Sequence, residues 1–68
     1  MKYALVLSWS EDDQAFIVEV PDLPGCISDG ATCEEAVRNA QEAMAAWIEL
    51  ARELGREIPR PTTRLLSA

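Results

Sequence analysis

The stretch PDLPGCISDGATCEEA, residues 21–36, limits the folds open to this chain more than any other. Pro21 and Pro24 hold φ at about −65° and lack an amide donor, so a strand arriving from Ala15–Val20 must end there. Asp22 lies between them, in a turn where an Asp side chain has a local hydrogen-bonding role. Gly25 and Gly30 open backbone conformations that other residues reach only at a cost. Thr32 followed by Glu35 is the pair of a capping box: the hydroxyl takes the amide three residues on, and the carboxylate reaches back. The stretch therefore predicts a turn, a short strand near Cys26–Asp29, a second turn and a helix start. It reads as a rigid connector rather than a catalytic loop.

The flanks are periodic. Lys2–Trp9 alternates, with Tyr3, Leu5, Leu7 and Trp9 on one face and Ala4, Val6 and Ser8 on the other. Ser10–Gln14 is polar and acidic and predicts a hairpin loop. In the next strand Phe16, Val18 and Val20 share a face, opposite Ile17 and Glu19. From Cys33 to Leu54 the residues Ala36, Val37, Ala40, Ala43, Met44, Trp47, Ile48, Ala51 and Leu54 recur at helical spacing. Gly55 is the expected helix stop. Arg64–Ser67, in the tail, is a candidate short edge strand. The fold class that follows is α+β: a three- to four-stranded antiparallel sheet on one long helix, β-β-β-α-(β), in a single domain over 1–68.

A chain of 68 residues buries a small core. Domains of this size are marginal alone and use metals, disulfides or subunit contacts. Histidine is absent and the two cysteines lack zinc spacing, so no cofactor or metal is expected. Cys26 and Cys33 could close one disulfide, but the chain shows no signal peptide and no apolar run of membrane length. A cytoplasmic location with reduced thiols is the expectation. Oligomerisation, as a dimer or tetramer, is then the expected route to stability. Ala4, Val6 and Ile17 on the second sheet face, and Ala46 and Leu50 on the helix, are left over for such contacts.

The net charge is −6 and unevenly spread. Through Leu54 eleven acidic side chains face three basic ones, and from Gly55 onward three arginines face only Glu57. An acidic body repels phosphate, which disfavours direct DNA binding. It suits a basic protein partner. Trp9 at a hairpin end is a candidate anchor, with Glu11, Asp12 and Asp13 beside it as contacts for that partner. A solvated turn is the plainer reading of the three acids, since Asp favours turns. Glu19, Asp22 and Asp29 are the acids a metal-dependent nuclease would need, but no helix supplies a further carboxylate to converge on them. Cys33 near a helix start lacks the base a nucleophile requires.

Taken together, KYALVL near the start, PDLPGC, GAT-x-EEA and LGREIP after the helix resemble HicB-like antitoxins of bacterial and archaeal toxin–antitoxin pairs. The likeness runs from Met1 to about Pro61. It implies a degraded ribonuclease-H-like fold without the nuclease acids, and no enzymatic activity. It implies a partner, a small basic HicA-like toxin that cleaves mRNA and is masked by the antitoxin. The residues that carry the likeness (Pro21, Asp22, Pro24, Gly25, Gly30, Thr32 and Glu35) take scaffold roles in it. Many members continue into a DNA-binding domain. This sequence stops at Ala68, so operator binding is not expected. The alternative is a solitary oligomer with vestigial RNA or ligand binding and no toxin.

Overall fold

A hairpin, a proline-rich turn and one capped helix account for the architecture, and each is set by local residues. The computed structural model describes residues 3–61. Three strands, β1 (Val6–Ser10), β2 (Ala15–Glu19) and β3 (Ile27–Gly30), precede the helix α1 (Cys33–Glu53). They form one antiparallel sheet in the order β1-β2-β3. The fold is α+β, β-β-β-α. The candidate strand at Arg64–Ser67 lies outside the described residues.

The β1–β2 connection is tied by its own side chains. Ser10 Oγ accepts from the Asp13 amide at 3.2 Å and donates to Asp13 Oδ2 at 3.0 Å. Gln14, at φ 51°, closes the loop through its amide on the Glu11 carbonyl, 3.3 Å away. Strand β1 starts at Val6, later than the alternation at Lys2–Trp9 suggests. Val6 pairs with Glu19, and beyond Glu19 the Val20 amide bonds to the Cys26 carbonyl while Pro21 has no donor. Tyr3 and Leu5 nevertheless pack against the core, and the Tyr3 hydroxyl donates to the Pro59 carbonyl.

The 21–25 turn carries the largest fully buried side chain among the described residues. Leu23 is 0% exposed and joins Val20, Cys26 and Met44 in a core cluster. The Leu23 amide bonds to the Val20 carbonyl and the Cys26 amide to the Leu23 carbonyl, so the turn wraps around its own plug. Gly25, at φ +82°, completes it. The Trp47 indole donates to the Pro24 carbonyl at 2.9 Å, tying the turn to α1.

Strand β3 runs one residue further than expected, to Gly30. Gly30 was expected to supply an unusual turn angle. It instead lies in the ladder opposite Phe16, and its role is close approach. A Cβ built there would lie 2.5 Å from the Ala36 nitrogen and 2.8 Å from its Cα. The helix start rests directly on this strand end. Ser28 Oγ donates to the Ala36 carbonyl and Asn39 Nδ2 to the Asp29 carbonyl, fixing the same contact. A second cluster, Val18, Ala36 and Ala40, forms beneath it.

Thr32 caps α1 by accepting from the Glu35 amide at 3.1 Å. The Glu35 carboxylate accepts from the Ala31 amide at 2.8 Å, one residue before the cap and not at the cap itself. At the other end the Arg56 amide reaches the Ala51 carbonyl and the Gly55 amide the Arg52 carbonyl, the two bonds of a Schellman motif. Thr32→Ala should therefore lower stability by about 1 kcal/mol in urea denaturation. An unchanged midpoint would mean that Glu35 alone holds the helix start.

Candidate functional site

One helix is about 10 Å across and strands lie about 4.8 Å apart, so a single helix covers roughly two strands. Here α1 lies over β3 and β2 and has little or no contact with β1. Cross-strand partners share a face, so the rows Trp9–Phe16–Gly30 and Leu7–Val18–Ser28 all point to the helix side. Val18 is covered, but Leu7 and Trp9 stay 44% and 45% exposed. Their alternation reads as a core face; the width of one helix leaves them outside it.

Trp9 is held, not loose. Its ring meets Phe16 edge to face, with centroids 4.9 Å apart and planes at 67°. Its indole donates to Glu11 Oε2 at 3.1 Å, and Gln14 Nε2 bonds to the Glu11 carbonyl and to Oε1. The sheet thus ends in a rigid aromatic flanked by carboxylates. Trp9 and Glu11 are brought together, whereas Asp13 turns back onto Ser10 and Asp12 stands exposed at the tip. The scaffold residues Pro21, Asp22, Pro24 and Gly25 sit at the opposite end of β2. Gly30, Thr32 and Glu35 sit at the Trp9 end, because Gly30 pairs with Phe16 and touches Ala36.

An open groove of about 370 Å³ runs along this flank of α1, lined by Cys33, Glu34, Val37, Arg38 and Gln41. Val37, in the groove lining, and Phe16, in the aromatic row, pack against the same core cluster. The reverse face of the sheet carries Val6, Ile17 and Ile27 between Ser8, Glu19 and Asp29, with Val6 and Ile27 exposed. Leu54, expected in the core stripe, is 57% exposed because α1 outruns the sheet at that end. Two features escaped the sequence reading. Leu23 sits among turn residues with no periodic partner to mark it. The bare helix-side face of β1 arises from the relative widths of helix and sheet, which no local pattern records.

Among the described residues no group of acidic, Cys or His side chains could hold a metal ion. Glu19 and Asp29 share the outer sheet face, and Asp22 lies in the turn. Cys26 and Cys33 are both free thiols, one buried and one exposed. Burial pushes the Cys26 thiol above its usual pKa, since the thiolate would lose its water. Alkylation at neutral pH should therefore modify Cys33 at once and Cys26 only on unfolding. Equal rates at both would contradict the burial of Cys26. Among the described residues no helix is long and apolar enough to cross a membrane.

A family model described as HicB-like antitoxin of bacterial toxin–antitoxin system matches residues 3–66. A UPF0150 protein of Thermoplasma acidophilum is 42% identical over 60 residues, 88% of this chain and 86% of that one. Antitoxin HicB 2 of Photorhabdus laumondii is 34% identical over 64 residues, 94% of this chain. The chain spans only 45% of that protein's length. Among solved structures, the N-terminal domain of the Burkholderia pseudomallei antitoxin HicB aligns with a TM-score of 0.80 and 28% identity, over 96% of this chain and 75% of that one.

Proposed function

The chain belongs to the HicB-like antitoxin family, and from that premise we propose that it is a non-catalytic binding module that masks a small basic, HicA-type mRNA-cleaving ribonuclease. The observation that carries this reading is the antitoxin match over nearly the whole chain, residues 3–66. The physical chemistry supports it. Trp9 offers a large surface with little rotamer freedom left to lose, since Phe16 and Glu11 already hold it. Glu11, Asp12 and Asp13 set a negative rim beside it, which speeds encounter with a cationic protein. The domain needs no cofactor and acts in the cytoplasm.

The same reading includes self-association as a dimer or tetramer. Its support is the uncovered outer sheet face, where Val6 and Ile27 are exposed beside Ile17. Against it stands a solitary oligomer that binds RNA. A −6 chain should bind RNA poorly, and weakly even at low salt.

Co-expression with the product of the adjacent gene tests the proposal, which expects that product to be a small basic protein. A stable complex is expected. Trp9→Ala should weaken it about thirtyfold, the scale of an aromatic hot spot of about 2 kcal/mol. No complex with any such neighbour, together with RNA binding by the chain alone, would overturn it.

A further inference from the structure

We propose that the bare helix-side face of β1, together with the grooved flank of α1 beside it, is the seat of an α-helix from a cationic partner protein. The partner helix would press an apolar side onto Leu7, Trp9 and Val37 and carry Lys or Arg along its rim. This deepens the reading above and rests on it, since it names how the basic partner is held.

The groove lies in the helix layer. The groove itself is lined by α1 alone, at Cys33, Glu34, Val37, Arg38 and Gln41; beside α1 in the same layer, the helix-side face of β1 is left bare, with Leu7 and Trp9 exposed. The vacancy is one strand wide and bounded on one side only, so a second helix lying beside α1 completes the layer. A strand added at the edge of β1 would extend the sheet and leave this space empty.

Charge selects the occupant. Glu11, Asp12 and Asp13 stand at the Trp9 end and Glu34 on the wall, with Arg38 the one base among them. A second copy of this chain would bring its own acidic rim against these carboxylates, at a net charge of −6 on each. A helix rimmed with Lys or Arg meets opposite charge and buries Leu7 and Trp9.

Cys33 lines the groove and is exposed, while Cys26 is buried, so thiol labelling of the full chain reports occupancy directly. The probe is a purified HicA-type toxin, small and basic. In the complex, labelling of Cys33 should slow at least tenfold. Gln41→Lys, at an exposed helical position, should weaken binding at least tenfold, and Leu50→Lys, near the other end of α1, less than twofold. Both variants should keep the wild-type melting temperature. A complex that forms but leaves Cys33 as reactive as before overturns the groove while sparing the antitoxin reading. So does a complex indifferent to Gln41→Lys. Absence of any complex fails both. Protection of Cys33 in the partner-free chain also overturns the proposal. If it grows with concentration the occupant is a second copy, and if it vanishes on truncation after Pro61 the occupant is the chain's own end.

Discussion

Gly30→Ala should lower the melting temperature by about 10–20 °C, and Gly30→Val should abolish cooperative folding. The added methyl would lie 2.5 Å from the Ala36 nitrogen, 2.8 Å from its Cα and 2.9 Å from the Glu35 carbonyl carbon. All three are backbone atoms of a capped helix, so no side chain can swing aside. Relief requires lifting the start of α1 off β3, which also strains the bonds from Ser28 to Ala36 and from Asn39 to Asp29. Overpacking of this kind costs about 2–3 kcal/mol, and in a domain this small each kcal/mol moves the midpoint by about 4–8 °C. Gly25→Ala is the contrast. A Cβ there meets nothing within 4 Å, so only the positive φ is penalised, at about 1 kcal/mol. Thermal unfolding followed by circular dichroism checks both. If Gly25→Ala proved the more damaging, the close contact at the helix start would be wrong.

Leu23→Ala should cost about 3–4 kcal/mol, more than any change on the helix surface. Its side chain is fully buried among Val20, Cys26 and Met44, and the hydrogen bonds on either side of it hold the turn open around that side chain. The turn cannot collapse into the hole, because Pro21 and Pro24 fix its path. A domain of this length has roughly 3–10 kcal/mol in total, so the variant should be partly unfolded at room temperature. Leu54→Ala, at a side chain 57% exposed, should fall within about 0.5 kcal/mol. Urea denaturation of the two variants separates the cases. Equal midpoints would mean that the 21–25 turn is a surface loop after all.

These two residues also mark how far the sequence could be read. Local chemistry announced the elements: Thr32 and Glu35 began the helix, Gly55 ended it, and the polar run at Glu11–Gln14 turned the hairpin. Such features act within a few residues and leave a local trace. Leu23 leaves none, because its burial depends on Met44, far along the chain, and its neighbours are all turn formers. Gly30 looks like a turn glycine in sequence; only the docking of α1 reveals that the missing side chain is what matters. Leu7 and Leu54 follow the apolar pattern faithfully and still lie exposed, one because the helix covers two strands, the other because it outruns them. The site divides the same way. Trp9 and its acidic neighbours stand out by type and position, but the bond from the indole to Glu11 and the groove beside Val37 exist only once the layers are assembled.

We propose that this domain acts by binding a cationic ribonuclease and performs no chemistry of its own. The direct measurement is RNA cleavage by a purified HicA-type ribonuclease, titrated with the purified chain. Cleavage should fall to nothing near equimolar chain, and Trp9→Ala should shift the curve to higher concentration. Undiminished cleavage in the presence of excess chain would contradict the claim.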